Sequence, residues 1–307
     1  MLDDPLEQFH PPVAAWFRDV FVEPTVVQSQ AWSTIAAGKN ALVVAPTGSG
    51  KTLAAFLWSL SQLTRQESAP GGKGAGTKVL YISPLKALGV DVDRNLAAPL
   101  AGIARTAAAM ETHVAPVRVG VRSGDTPQSE RSRLLRTPPE ILITTPESLY
   151  LMLTSKAAGT LQTVDTVIVD EVHAVAGTKR GAHLALSLER LEMITRQPVQ
   201  RIGLSATVNP IDTVAAFLGG DRPVTVVNPK IHKDWDVNVC SVVEDFQDPP
   251  AVDEGDDLPA GQGPAEAGDA ADAPDPSDVD APSALVDEAL LGPSLIGEGV
   301  SEDPGAG

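Results

Sequence analysis

An apolar run that stops at a glycine-bearing loop and passes directly into an amphipathic helix constrains this chain more than any other feature. Ala41–Ala45 is the run, Ala45-Pro46-Thr47-Gly48-Ser49-Gly50-Lys51-Thr52 the loop, and Thr52–Leu63 the helix, where Leu53, Phe56, Leu57 and Leu60 recur at helical spacing. Gly48 and Gly50 free the backbone to turn its N–H groups inward around an anion. The helix presents its positive end to the same point. Lys51 then reaches the β and γ phosphates of a nucleotide, and Thr52 offers a hydroxyl to Mg2+. Ala45 stands where the common form of this motif has its first glycine, but the two glycines that approach phosphate are present. A turn that merely happens to contain Lys is the competing reading, and the order of strand, loop and helix argues against it.

Further apolar runs follow the first: Val79–Ser83, Val117–Val121, Ile141–Thr144, Val164–Val169, Arg201–Leu204 and Val224–Val227. Short runs rich in Val and Ile look like buried parallel strands. Stretches of helical spacing lie between them, among them Gly181–Thr195 with Leu184, Leu188 and Leu191. The alternation predicts an α/β domain with a mainly parallel sheet covered on both faces. A helical lead-in, Val13–Val20 and Val26–Ala37, precedes the first strand, and Ala69–Thr77 has the composition of a flexible loop. The division expected from these patterns is a lead-in over 1–38, the α/β domain over 39–243 and a disordered acidic tail over 244–307.

That tail explains the charge. Of the 40 Asp and Glu, 18 fall between Glu244 and Gly307, where no Lys or Arg occurs, leaving 22 acidic against 23 basic residues in 1–243. The globular part is therefore close to neutral, and the net charge of −17 does not argue against a nucleic-acid partner. The tail is too poor in apolar residues to offset the entropy of ordering, apart from a possible transient helix over Ala284–Leu291. Its charge serves solubility, or it mimics nucleic acid and competes for a basic face built from Arg118, Arg122, Arg131, Arg133 and Arg136. The last three read more simply as a solvated helix face. One cysteine, Cys240, excludes an intramolecular disulfide framework and a cysteine zinc site. No apolar run approaches the ~18 residues of a membrane span, and the acidic N-terminus is unlike a signal peptide. The expected setting is cytoplasmic.

Val167-Ile168-Val169-Asp170-Glu171-Val172-His173 ends a strand on two carboxylates about 120 residues after the phosphate loop. Asp170 can hold Mg2+ through water, and Glu171 can orient and deprotonate the water that attacks a γ phosphate. An acidic helix N-cap is the other reading of the pair. His173, beside them, is placed to couple the site to its surroundings.

The phosphate loop, Asp170-Glu171-Val172-His173 and Ser205-Ala206-Thr207, in this order, resemble the first RecA-like domain of the DExH/D-box helicases of superfamily two. Pro24-Thr25-Val26-Val27-Gln28, Leu53-Ala54-Ala55-Phe56-Leu57-Trp58, Ser83-Pro84-Leu85-Lys86-Ala87-Leu88, Thr144-Thr145-Pro146-Glu147-Ser148-Leu149 and Phe217-Leu218-Gly219-Gly220 are similar to the Lhr (large helicase-related) proteins within that class. The resemblance covers about Phe9 to Val243. It implies ATP and Mg2+ as cofactors, with Gln28, Thr47, Gly48, Ser49, Gly50, Lys51 and Thr52 binding ATP, Lys51, Asp170 and Glu171 catalytic, and Thr52 and Asp170 on the metal. It implies that Gln28 reads adenine, as an amide that both donates and accepts can. Pro84, Leu85, Lys86, Gly124, Thr145, Pro146 and Glu147 are then expected on the backbone of a nucleic-acid strand, and His173, Ser205 and Thr207 in coupling hydrolysis to movement. Single-stranded DNA is the implied partner, with 3′-to-5′ movement and duplex unwinding; an RNA-dependent ATPase of the DEAD-box type is the alternative. The resemblance also implies a second RecA-like domain, in cis or in trans, which carries the arginine fingers. No second array of strands and helices follows Thr207 here, so a nucleotide-binding module without turnover is the third reading.

Overall fold

The computed structural model describes residues 4–65, 76–206 and 208–230. Thr207, most of the 69–77 loop, the 236–243 extension, the Ala284–Leu291 stretch and the 244–307 segment lie outside the described residues.

Seven strands form one sheet: β1 (Asn40–Val44), β2 (Val79–Ile82), β3 (Val119–Arg122), β4 (Ile141–Thr144), β5 (Thr166–Val169), β6 (Gln200–Ser205) and β7 (Val224–Val227). Their order is β3-β4-β2-β5-β6-β1-β7, and every pairing is parallel. The strands are apolar along nearly their whole length because both faces are covered. Alternate residues go to opposite faces. Val43, Tyr81, Ile143, Ile168 and Ile202 join one core cluster, while Leu42, Leu80, Ile82, Leu142, Val167 and Val169 join the other.

The first cluster takes α1 (Pro11–Val20), α2 (Val26–Ala36), α3 (Lys51–Arg65) and α4 (Lys86–Ala109). The second takes α6 (Pro146–Leu153), α7 (Ala158–Leu161), α8 (Val172–Val175), α9 (Lys179–Ile194) and α10 (Ile211–Gly219). A short amphipathic helix, α5 (Gln128–Arg136), buries only Leu134. The lead-in helices are firmly held. Trp32 is fully buried, donates its indole N–H to the Ala54 carbonyl at 3.1 Å, and meets Phe9 and Phe17 edge-on. The described fold lies within a compact unit that runs to Asp234.

Two strands start later than their apolar runs. β3 begins at Val119 because the Arg118 N–H and guanidinium are taken by Glu140, at 2.8 and 2.6 Å. β5 begins at Thr166, where the Asp165 and Thr166 N–H groups share the Lys78 carbonyl at 3.0 and 3.2 Å. Pro84 precedes the Leu85 N-cap of α4 rather than entering its first turn.

Candidate functional site

Because all strands are parallel, their C-terminal ends share one edge of the sheet. β1 delivers the phosphate loop there, β5 the acidic pair and β6 Ser205; Val44 lies opposite Ser205, and Val169 opposite Gly203. On the other half of the edge, β2, β4 and β3 deliver Ser83-Pro84-Leu85-Lys86, Thr145-Pro146-Glu147 and Gly124.

In the loop, Gly48 and Gly50 have φ of +80° and +82°, a left-handed conformation that costs residues with a Cβ about 1–2 kcal/mol. Gly50 has a second reason to be glycine, since a Cβ there would lie 2.6 Å from Gln28 Nε2. Gln28 is buried against the loop, not exposed on the lead-in helix. Its Oε1 accepts the Thr25 N–H at 2.9 Å, its own N–H donates to Thr25 Oγ1 at 3.2 Å, and the Thr25 hydroxyl donates to the Ser49 carbonyl at 3.2 Å. A capping box at the start of α2 thus doubles as a brace for the phosphate loop. Thr47 is exposed and Thr52 half-buried. Ser49 Oγ is buried and has no hydrogen-bond partner among the described residues.

Lys51 opens α3 and donates to the Ala45 and Pro46 carbonyls at 2.6 and 2.9 Å. Burial pulls its ammonium below the usual range, while the charges of Glu171 and Asp170 act the other way. Asp170 is buried; its Oδ1 accepts the Glu171 N–H at 2.9 Å, and its Oδ2 accepts the Tyr81 hydroxyl. Burial and then the Asp170 charge push the Tyr81 phenol far up. Glu171 has φ of +44° and holds the N-cap position of α8 without any side-chain capping bond. The capping reading of this acid therefore fails, and its backbone sits in a conformation that a surrounding structure must enforce.

His173 lies beside both. Its Nδ1 is 3.3 Å from Glu171 Oε2 and 3.2 Å from Ser205 Oγ, and it accepts the Ala206 N–H at 3.3 Å. The structure brings His173 and Ser205 together; Thr207 lies outside the described residues.

On the second half of the edge, Ser83 is buried, its N–H donating to the Thr144 carbonyl and its hydroxyl to the Leu85 carbonyl, both at 2.9 Å. Leu85 is 58% exposed and Lys86 opens α4. Thr145 caps α6, its hydroxyl accepting the Ser148 N–H at 3.3 Å, with Pro146 in the first turn. Glu147 is exposed and paired with Arg180 through bonds of 2.5 and 3.0 Å, which hold its carboxyl below the ordinary range. Gly124 sits in an exposed turn. Arg131 is not part of a solvated face: it donates to the Gly124 and Thr126 carbonyls at 2.7 and 2.8 Å and fixes that turn. Arg118 and Arg133 are tied to Glu140 and Glu130. Pattern reading misses Tyr81 altogether, and it misses the contacts of Thr25 with Ser49 and of Arg131 with Gly124. For Tyr81 the available signal is a phenol inside an otherwise aliphatic strand, because a buried hydroxyl needs a partner.

A cavity of about 530 Å3 lined by Trp58, Gln62, Arg65, Asp165 and Gln200 opens at the opposite, N-terminal edge of the strands, away from these groups. Among the described residues no three His, Cys, Asp or Glu side chains cluster as a metal cage, and no helix is long and apolar enough to cross a membrane.

An all-parallel sheet with a glycine loop after one strand and paired acids after another defines a RecA-like nucleotide-binding domain. The DEAD/DEAH box helicase model matches residues 25–215, and the chain belongs to that family. It is 55% identical to the Lhr helicase/uracil glycosylase of Escherichia coli (strain K12) over 250 residues, covering 80% of this chain and 16% of that protein. It is 47% identical to the ATP-dependent helicase Lhr-Core of Methanothermobacter thermautotrophicus, covering 77% of this chain and 28% of that one. The structure of Mycobacterium smegmatis helicase Lhr bound to ssDNA and AMP-PNP superposes with a TM-score of 0.71 at 57% identity, over 76% of this chain and 29% of that chain. The chain thus spans between a sixth and a third of the length of these relatives.

Proposed function

We propose that this chain is the ATP-binding first half of an Lhr-like helicase motor, which couples ATP hydrolysis to movement along single-stranded DNA and to duplex unwinding. The observation that carries the reading is that the phosphate loop after β1 and the Asp170-Glu171 pair after β5 stand at the same edge of the sheet, with β6 alone between them. In the loop, Gly48, Ser49 and Gly50 turn N–H groups toward phosphates, and Lys51 exchanges its carbonyl partners for phosphate oxygens. Thr47 lines the same loop. Gln28 uses the second lone pair of Oε1 and its Nε2 protons to recognise adenine. Glu171 orients the attacking water and takes its proton.

The donors present fit Mg2+. Thr52 and Asp170 supply hard oxygens, and this ion keeps several waters and phosphate oxygens rather than needing a carboxylate cage. When bound, it would neutralise charge on the phosphates.

Pro84, Leu85, Lys86, Gly124, Thr145, Pro146 and Glu147, gathered on the second half of the edge, contact the backbone of the strand without reading bases. His173 and Ser205 stand between the acidic pair after β5 and the phosphate loop after β1, and with Thr207 they couple hydrolysis to movement on the strand. A second RecA-like domain, in cis or in trans, completes the ATP site and the groove. The support for DNA is the ssDNA held by the mycobacterial relative.

The test measures nucleotide binding and ATP hydrolysis with single-stranded DNA, with RNA and with neither, beside Glu171→Gln. Nucleotide binding is the expected result, with DNA-stimulated turnover that is slow until a second RecA-like domain is supplied and that vanishes in the variant. RNA stimulation alone would move the protein to an RNA-dependent class. Binding without turnover would identify a half-site, and no binding by folded protein would sink the reading.

A further inference from the structure

β2 and β5 lie side by side where the two halves of the sheet meet, with Ile82 opposite Val169. Two hydrogen bonds cross that join at its C-terminal end. The Asp170 N–H donates to the Ile82 carbonyl at 2.9 Å. The Tyr81 hydroxyl donates to Asp170 Oδ2. Asp170 Oδ1 meanwhile accepts the Glu171 N–H at 2.9 Å, so each carboxylate oxygen has one lone pair committed. Tyr81 itself has no freedom to move. It is fully buried, and its ring stacks on Phe56 with centroids 5.1 Å apart. A carboxylate restrained at both oxygens by a buried phenol and a backbone N–H presents its remaining lone pairs in one direction. Partners of this kind, one step removed from a metal, tune affinity by fixing the ligand.

We infer that Tyr81 is a positioning residue for Asp170: its hydroxyl sets the orientation in which Asp170 supports metal-dependent nucleotide binding. It also ties that orientation to β2, the strand that continues into Ser83-Pro84-Leu85-Lys86. The inference rests on the nucleotide site proposed above and adds to it a residue outside all the sequence motifs.

The test is binding of a fluorescent ATP analogue to the full chain, in Mg2+ and in EDTA, for four proteins: unaltered, Tyr81→Phe, Asp170→Asn and the double variant. Tyr81→Phe deletes one oxygen and keeps the ring stacked on Phe56. It is expected to weaken binding in Mg2+ by about tenfold, the lower end of the loss seen when such partners are removed, and to leave binding in EDTA unchanged. In the Asp170→Asn background it is expected to add no further loss, because the two residues act as one unit. Unaltered affinity in Mg2+, an equal loss in both conditions, or additive losses would each overturn the inference. A different result, no Mg2+-dependent nucleotide binding by the unaltered chain, would remove the nucleotide site itself and the role of Tyr81 with it.

Discussion

Gly48 and Gly50 share a left-handed backbone but not its surroundings. A Cβ at Gly48 meets nothing within 4 Å, whereas one at Gly50 strikes the Gln28 amide. Gly48→Ala is therefore expected to cost about 1–2 kcal/mol of backbone strain alone. Gly50→Ala should cost more, because it also displaces the brace from Thr25 and Gln28. Urea unfolding of the two variants checks the order, and equal losses would mean that Gln28 is not held as tightly as the geometry shows. The glycines and Lys51 were legible in the sequence because their spacing is a backbone requirement. The brace was not, since Gln28 meets Gly50 only after α2 folds against the loop. Tyr81 was hidden for the same reason: its partner Asp170 is 89 positions away and reaches it only by pairing of β2 with β5.

Elements are held to one another by a buried charge as well as by apolar surface. Arg201 on β6 is 2% exposed and reaches Glu189 on α9 at 2.9 Å, Glu192 at 3.5 Å and the Leu218 carbonyl at the end of α10 at 3.2 Å. Arg201→Met is expected to cost about 2 kcal/mol by urea unfolding. Breaking a fully buried pair costs roughly 3–5 kcal/mol, and the loss is smaller here because Glu189 is 44% exposed and keeps Arg222 at 3.1 Å. The same cluster makes stability depend on pH. Burial works against ionised Glu189, but hydrogen bonds and charge from Arg201 and Arg222 more than offset it, so its carboxyl lies below the ordinary value near 4.5. A group depressed in the folded state contributes stability above its unfolded value and loses it as pH falls through the folded one. Thermal melts should show this contribution intact at neutral pH and fading below about pH 4.5, with a shallower acid decline in Glu189→Gln. The strands and α9 could be read from apolar period, but this network could not, because Arg201 opens a run of strand residues and its charge is invisible to that period. Likewise Arg131 belongs by periodicity to an exposed helix face, yet its guanidinium folds back onto the Gly124 turn.

At the scale of the whole molecule, the described residues hold one RecA-like domain. Turnover by this RecA-like domain without a partner domain should fall below that of a two-domain relative by about 10³–10⁵, the contribution of an arginine finger; steady-state hydrolysis of both, side by side, measures it. Comparable rates would show that a second copy supplies the missing groups. The 18 acidic residues after Val243 offer a separate test. If they compete for the strand-binding edge, deleting 244–307 tightens single-strand binding at low salt, and unchanged affinity assigns them to solubility. The α/β architecture was readable because alternating runs and helices admit few arrangements. The gathering of the second-half segments was less so, since strand order in a sheet is not written in the order of the chain.

The parallel sheet also separates chemistry from tolerance to insertion. The phosphate loop, the acidic pair and Ser205 stand at the C-terminal ends of strands, while α3 runs back to Arg65 beside the starts of β2, β5 and β6. Arg65, the last described residue before 66–75, therefore stands at the far edge, as does Val79 at the start of β2. A fluorescent domain spliced between residues 66 and 75 is expected to leave nucleotide affinity unchanged, because lengthening a connection adds little loop-closure cost. The architecture thus comes with a built-in port for a reporter, on the side of the molecule that does no chemistry.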